Sequence, residues 1–427
     1  MKIYCSGIGG IGLSAYAALQ RAAGHELLGS DASESALTHD LVAQGIAVFT
    51  NQDGSKVPPD ADLFVYSEAI PSSAPERVKA AEYGIKALSY FAALGELSKV
   101  KTVIAVCGTH GKSTTTAMTA NLLVDAGLDP TVIVGTKVPQ LGGRNWRKGE
   151  SDIFLLEACE YRGSFLNLSP NIILMTNVDG DHFDAFDSMD AYRKAFTDFM
   201  NRLPEDGVLI THMDDPDCAA LVESQITNHK SPTIDADKFP LPELSVPGLH
   251  MRKNAQLVAA LASHLGIDAA ASLKKFSGTW RRMELKGTYQ IPDTKYQIPV
   301  IDDYAHHPRE IAATIAAVRE WYPGHRLVCL FQPHTHDRTL HLYNDFLIAF
   351  DGADFVVTTD VYDARPDTEK QQADVAQLTA DIHTESVYGG NLNEAKKLLC
   401  SSILQQGDVL LVMGAGSVTN VAQELVA

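Results

Sequence analysis

Thr102-Val103-Ile104-Ala105-Val106-Cys107-Gly108-Thr109-His110-Gly111-Lys112-Ser113-Thr114-Thr115-Thr116 is the stretch that sets the fold. Its first six residues are mostly apolar and β-branched, the length and chemistry of a buried strand. Beyond it Met118, Leu122 and Ala126 recur four apart, which predicts a helix. Strand, glycine loop, lysine, hydroxyl and helix together form a phosphate cradle, with backbone N–H groups and the positive helix end facing the anion. Lys112 would neutralise the outer phosphates and the Ser113 hydroxyl would ligate Mg²⁺. The usual G-x-x-x-x-G-K-[ST] pattern needs a glycine at position 106, where this chain has Val106. The competing reading is a plain strand-to-helix turn. Agreement of strand, loop, lysine and helix favours the phosphate site.

A second glycine loop opens the chain. Lys2 to Ser6 reads as a strand and Gly12 to Ala23 as a helix, with Gly7-Ile8-Gly9-Gly10-Ile11-Gly12 between them. This is G-x-G-x-x-G in its required setting, and Asp31 follows the short strand Glu26 to Gly29 as the carboxylate for ribose hydroxyls. Any diphosphate joined to a ribose suits such a loop, and Asp31 serves equally well as a cap for the next helix. Asp62 to Ser67 reads as a further strand, with Ser67 leading into a loop.

At 427 residues two or three domains are expected. The formal net charge of −18 argues against a nucleic-acid or anionic-membrane surface, though not against a nucleotide in a local basic pocket. No stretch reaches the roughly 20 apolar residues of a membrane helix. The N-terminus enters a strand at once, which argues against a signal peptide. The six cysteines show no C-x-x-C, so reduced, packed thiols in a cytoplasmic protein are expected.

From about Lys99 the strand–helix alternation restarts. Asp152 to Glu157 reads as a buried strand ending in a carboxylate, and Asn171 to Asn177 as another, running into Asp179-Gly180-Asp181-His182-Phe183-Asp184. Ligands collect at the carboxyl ends of parallel strands, so Ser113, Glu157 and His182 are the candidate metal ligands. Mg²⁺ prefers oxygen, and His182 would equally hydrogen-bond a carboxylate. Asp179, Asp181 and Asp184 are either solvated loop charges or part of the site. Ser224 to Glu243 looks like a loop. Leu257, Val258, Leu261 and Leu265 then mark a helix, with Asn254 near its start as a cap or a nucleotide contact. Arg281 and Arg282 close the segment as candidates to grip a phosphate.

The last segment, from about 287, repeats the alternation. Tyr296 to Asp303, Arg326 to Phe331, Asp354 to Thr358 and Asp408 to Met413 read as strands, and Pro308 suits a helix first turn. His306, His307, His334 and His336 lack a cysteine or acidic residue at zinc-site spacing. The expected fold class is α/β with three domains: residues 1–98 Rossmann-like, 99–286 a P-loop ATPase-type parallel sheet, and 287–427 Rossmann-like.

Taken together these segments resemble the Mur ligases, ATP-dependent amino-acid-adding enzymes of peptidoglycan synthesis, over nearly the whole chain. Asp302-Asp303-Tyr304-Ala305-His306-His307-Pro308 and Phe331-Gln332-Pro333-His334 favour the branch that adds L-alanine to UDP-N-acetylmuramate. The resemblance implies that the first domain binds the UDP-sugar through Gly9, Gly10, Ile11 and Gly12, with Asp31 and Ser67 beside them. It implies ATP on Gly108, Thr109, His110, Gly111, Lys112, Ser113 and Thr114, and Mg²⁺ at Ser113, Glu157 and His182. Asn254, Arg282 and Asp303 match positions that contact the nucleotide, and Tyr304, His307, His334 and Arg338 fall near the incoming amino acid. Lys112, Glu157, His182, Arg282 and His334 are the implied catalytic set. This chain departs in having Ser113 for the usual Thr, Met251 for a common Asn, and a short stretch from Ile226 to Val246.

The implied chemistry is attack of the sugar carboxylate on the γ-phosphate of ATP, then attack of the amine on the acyl phosphate, with His334 either taking the amine's proton or only positioning substrate. Domain closure would keep water from the acyl phosphate. A monomer or homodimer is expected. The rival readings are a recycling ligase that adds a peptide, an NAD-dependent dehydrogenase suggested by Gly7 to Gly12 with Asp31, and a non-catalytic nucleotide sensor.

Overall fold

The short apolar runs that punctuate the chain become the strands of three successive sheets. The computed structural model describes residues 1–181, 185–225, 231–363 and 371–427. The first sheet holds β1 (Lys2–Ser6), β2 (Glu26–Ser30), β3 (Ala47–Phe49), β4 (Leu63–Tyr66) and β5 (Ala87–Ser89) in the order β3-β2-β1-β4-β5, all parallel. Its helices are α1 (Ile11–Ala22), α2 (Ala36–Ala43), α3 (Pro75–Glu82) and α4 (Tyr90–Ser98). The strand order turns back at β1 and β4, the switch point at which such sheets bind ligands.

The second sheet holds β6 (Thr102–Cys107), β7 (Thr131–Val138), β8 (Arg144–Arg147), β9 (Ile153–Glu157), β10 (Ile172–Met175), β11 (Val208–Thr211) and β12 (Thr233–Asp235), in the order β12-β11-β10-β6-β9-β7-β8. Only β8 runs antiparallel, to β7. α5 (Lys112–Asp125) follows β6. The third sheet holds β13 (Glu284–Gln290), β14 (Gln297–Asp303), β15 (Arg326–Phe331), β16 (Phe355–Thr358), β17 (Ser386–Tyr388) and β18 (Asp408–Met413), in the order β13-β14-β18-β15-β16-β17. Here β13 is the antiparallel edge. The first two sheets belong to one compact unit (Met1–Asp179, Asp190–Pro240, Ala255–Leu273) and the third to another (Gly180–Met189, Leu241–Asn254, Lys274–Ala427).

Position 106 explains itself in this frame. Val106 lies inside β6, paired with Leu174 on one side and Glu157 on the other, and is buried in the core with Ile104, Leu155 and Leu174. A glycine there would lose that packing, so the phosphate loop proper begins at Gly108. Burial on both faces is why β6 reads as an unbroken apolar run rather than an alternating one.

Two expectations change. Ser224 to Glu243 is not all loop, because Thr233–Asp235 forms β12, paired with β11. Three residues at a sheet edge carry too little periodicity to announce themselves. Asn254 does not cap its helix, which runs Leu249–Leu265 and places Asn254 in its interior. Leu257, Val258 and Leu261 are fully buried. Among the described residues no helix is long and apolar enough to cross a membrane, and no two cysteines are bonded.

Candidate active site

β6 delivers the phosphate loop, and the end of β10 shapes it. Gly108 (φ +126°) and Gly111 (φ +82°) take backbone conformations that side chains resist. A Cβ on Gly108 would lie 2.0 Å from Thr176 Oγ1. Thr176 Oγ1 donates to the His110 carbonyl at 2.6 Å, and Asn177 Oδ1 accepts the His110 N–H at 2.9 Å. The Thr109 hydroxyl donates to the Asp179 carbonyl at 2.8 Å, and the His110 ring meets the Asp179 carboxylate at 3.1 Å. The side chains of Thr109 and His110 therefore hold the loop's shape. The N–H groups of Lys112, Ser113 and Thr114 open α5, in the turn where no helix carbonyl precedes them.

Lys112 folds over this loop. Its Nζ donates to the carbonyls of Gly108 (2.5 Å) and Thr109 (2.9 Å) and to Glu160 Oε1 (3.0 Å). Burial alone would lower the Lys112 ammonium, but the charge and hydrogen bond of Glu160 together with the Glu157 charge and Cys159 outweigh it, so the group is held above its ordinary value and stays charged. Ser113 Oγ donates to Glu157 Oε2 at 2.9 Å, and the same oxygen accepts the Gly135 N–H at 2.8 Å. A Cβ on Gly135 would lie 2.7 Å from Glu157 Oε2, so glycine is what lets this carboxylate lie against β7. A hydroxyl and a carboxylate at the mouth of a phosphate loop are the hard-oxygen donors that suit Mg²⁺. His182, the third expected ligand, lies outside the described residues, as do Phe183 and Asp184.

In the first sheet, Gly7 (φ +78°) makes the turn after β1, and Gly10 caps α1. Asp31 neither caps α2, whose cap is Ser35, nor stands clear of the loop. Its Oδ2 accepts the Gly9 N–H at 2.8 Å, and a Cβ on Gly9 would meet that oxygen at the same distance. Ser67 lies against Gly7 on the other side, where a Cβ on the glycine would come 2.9 Å from its own. A Cβ on Gly12 would run into the ring of Tyr90, at 2.8 Å.

The third sheet gathers its own cluster. Arg338 is buried and forks onto Asp181, from Nη2 to Oδ1 at 2.8 Å and from Nε at 3.1 Å, while Nη1 reaches His334 Nδ1 at 3.0 Å. A guanidinium only donates, so His334 Nδ1 accepts and the ring's proton sits on Nε2. That state favours His334 as a positioning donor over a vacant base. His334 stacks on Tyr362 (centroids 5.9 Å) and stands edge-on to His306 (5.5 Å). Thr335 between them has φ +65°, an uncommon conformation for a β-branched residue, kept by a backbone bond from its N–H to the Tyr362 carbonyl at 3.1 Å. Burial holds His306 well below its ordinary value, at about 4, with the Arg338 charge adding to that and Glu310 opposing it.

Arg282 lies over the Tyr304 ring (4.9 Å) with Glu310 at 3.9 Å. Asp303 is buried, and both its oxygens are engaged. Oδ2 accepts the Met283 N–H at 2.7 Å and Oδ1 the Ala305 N–H at 2.8 Å. Burial pushes its carboxyl up to about 6, against the lowering charge of Arg282. His307 is spent as a helix cap, its Nδ1 accepting the Arg309 N–H at 3.3 Å. Arg282, Tyr304, His306, His334 and Arg338 thus share one cluster, while Asp303 and His307 support it.

Three successive matches cover most of the chain. Residues 2–102 match the Mur ligase family catalytic domain, 106–241 the Mur ligase middle domain, and 281–416 the Mur ligase glutamate ligase domain. A UDP-N-acetylmuramate–L-alanine ligase of Lachnospira eligens is 36% identical over 458 aligned positions, covering 100% of this chain and 98% of that one. The chain is a member of the Mur ligase family. Among solved structures, the UDP-N-acetylmuramate–alanine ligase MurC of Thermotoga maritima superposes with a TM-score of 0.81 at 28% identity, covering 100% of this chain and 98% of that one. A murein peptide ligase of Psychrobacter arcticus shares the fold, with a TM-score of 0.73 at 23% identity over 100% and 98% of the two chains.

In this Mur ligase several working residues carry no motif of their own. Glu160, fully buried against Lys112, sits three residues after Glu157, and the repeated acid in Glu157-Ala158-Cys159-Glu160 was its only signal. Thr176 and Asn177 were legible as a strand end but not as the loop's brace. Asp181 was one of three aspartates on offer, and only the fold pairs it with Arg338. Glu76, buried under the first sheet, accepts from Tyr4 (2.6 Å), Ser6 (2.5 Å) and Ser30 (2.7 Å) and fixes α3 below the Gly7–Gly12 turn.

Proposed function

We propose that this Mur ligase joins L-alanine to the carboxylate of UDP-N-acetylmuramate at the expense of ATP, a step of peptidoglycan precursor synthesis in the cytoplasm. The observation that carries the reading is the Ser113–Glu157 pair at the mouth of the Lys112 loop, in a chain alike over its full length to L-alanine-adding relatives. ATP is assigned to the Gly108–Thr114 loop of the segment 99–286, the UDP-sugar to the Gly7–Gly12 turn of 1–98, and L-alanine to the His334–Arg338 cluster of 287–427. Ser113 and Glu157, with His182, would hold Mg²⁺, which supplies positive charge to the phosphates when bound.

The sugar carboxylate attacks the γ-phosphorus, the bond to the β-phosphate oxygen breaks, and ADP leaves an acyl phosphate. The alanine amine then attacks the acyl carbon, the acyl–oxygen bond to phosphate breaks, and the proton the amine loses passes to the departing phosphate. Lys112 and Arg282 offset charge on the transferring phosphoryl group. Lys112 suits this role because Glu160, together with the Glu157 charge and Cys159, keeps it charged. Arg338 and His334 Nε2–H orient the amino acid.

Phosphate release with ATP, Mg²⁺, UDP-N-acetylmuramate and a panel of amino acids tests the reading. Release that depends on L-alanine supports it, and release that ignores the amino acid sinks it. Preference for a tripeptide over L-alanine would assign a recycling role instead. Binding of both nucleotides without turnover would indicate a sensor. A nicotinamide absorbance change would revive the dehydrogenase, against which the second phosphate loop with Lys112 and Ser113 argues.

A further inference from the structure

We propose that the β7–β8 hairpin sets the spacing between the two glycine loops, and that Asn145 is the positioning residue that fixes the first of them. The inference rests on the assignment of UDP-N-acetylmuramate to the Gly7–Gly12 turn. On β7, the ladder to β9 runs from Thr131 to Ile133, and the next available N–H, that of Gly135, goes to the Glu157 carboxylate at 2.8 Å. On β8, Asn145 is 5% exposed and donates through Nδ2 to the Ile11 carbonyl at 2.6 Å. Ile11 stands between Gly10 and Gly12 and opens α1, which packs on both β7 and β8. Ser14 Oγ also reaches the Ile11 carbonyl, at 3.1 Å, but from within α1. Asn145 is the contact that arrives from the second sheet.

One two-stranded ribbon therefore holds the carboxylate of the metal pair on one strand and the backbone of the sugar-nucleotide loop on the other. Tyr90 packs on the same loop from within the first sheet's own helices, its ring filling the space a side chain on Gly12 would take. Transfer between substrates seated on different sheets requires the reacting atoms within about 3–3.5 Å. A rigid piece hydrogen-bonded to both seats supplies that registry. Asn suits the position because its amide reaches a main-chain carbonyl without bringing a charge into a buried junction.

The test is steady-state kinetics on the full chain for Asn145→Ala and Asn145→Asp, with Arg144→Ala as control. Arg144 is exposed on the same strand and lies over Trp146. Loss of the donor should raise KM for UDP-N-acetylmuramate about tenfold in Asn145→Ala and further in Asn145→Asp, which sets a carboxylate against a carbonyl. KM for ATP and for L-alanine should stay within about twofold, and Arg144→Ala should match the unaltered protein. An equal rise in all three constants, or a lowered melting temperature with no KM split, overturns the proposal. If Asn145→Ala does not fold, Asn145→Ser, which keeps a shorter donor, must show the same split in smaller measure. If the unaltered protein shows no alanine-dependent phosphate release, the functional reading has failed on its own account. Calorimetric titration with UDP then decides this one: weaker binding in Asn145→Asp but not in Arg144→Ala supports it, and equal binding overturns it.

Discussion

The Ser113 hydroxyl and the Glu157 carboxylate lie 2.9 Å apart although 44 residues separate them. One opens α5 and the other ends β9, and β6 pairs directly with β9. Parallel pairing brings the strand ends level, so the hydroxyl after one strand meets the carboxylate at the end of its neighbour. Ser113→Ala and Glu157→Gln should each lower ligation about 10²-fold or more while leaving UDP-sugar binding intact. Ser113→Thr, which keeps the hydroxyl, should stay near full rate. Phosphate release and UDP-sugar calorimetry check all three.

Lys112 and Glu160 form the second deciding pair. Lys112→Ala should abolish ligation and spare UDP-sugar binding, and joint loss of both would contradict the division of substrates between the first two sheets. Glu160→Gln leaves the ammonium without its buried countercharge. Removing one partner of such a pair costs about 3–5 kcal/mol, which at about 2–4 °C per kcal/mol for a large domain should lower the melting temperature by about 5 °C or more. A Glu160→Gln chain that melts unchanged would mean the pair contributes little.

The turn before the third sheet depends on Asp303. Arg281 (φ +56°) and Met283 (φ +52°) are both left-handed, a conformation that costs each about 1 kcal/mol or more. The Met283 N–H is held by Asp303 Oδ2, and Arg281 donates to the Gly414 carbonyl. Asp303→Ala would strand two buried N–H groups at about 1–3 kcal/mol each. A loss of roughly 2–5 kcal/mol should appear in denaturant titration, with the defect confined to the unit that holds the third sheet if its unfolding is resolved separately.

Two histidines set an acid limit. His306 and His250 are both held near 4 by burial, with Glu310 opposing that in each case. Asp181 also raises His306, and Arg338 lowers it. In the unfolded chain both return to about 6.5. Between those values the unfolded state binds protons that the folded state refuses, so stability is full above about pH 6.5 and drains as pH falls toward 4. Each ring should cost about 2 kcal/mol between pH 7.5 and pH 5. His306→Gln should shrink the drop by about 2 kcal/mol, whatever opposing gain the raised Asp303 carboxyl makes in both chains, read from urea midpoints at the two pH values. An unchanged slope would mean His306 charges freely in the fold.

Much of the architecture was legible because its signals are local. β6, β15 and β18 are apolar runs between glycine or polar turns, and their bounds coincide with the sequence reading. Pro308 marked a helix start because its fixed φ suits the first turn. The β7–β8 hairpin, the edge strand β12 and the antiparallel β13 were not singled out, since short edge strands take their conformation from a neighbour rather than from their own pattern.

Of the site, the sequence by itself determined the chemistry: glycines at two strand-to-helix turns, Lys112 and Ser113 after one of them, Glu157 at a strand end, and His334 and Arg338 together. Tertiary structure decided the use. It turned Asp31 back on Gly9, spent His307 as a cap, made Asp303 a backbone anchor, paired Arg338 with Asp181, and set Val106 inside the core, so the phosphate loop begins at Gly108. A residue's type fixes what it can donate, accept or ionise. Which of those capacities is already consumed depends on neighbours far away in sequence, and only the packed chain supplies them.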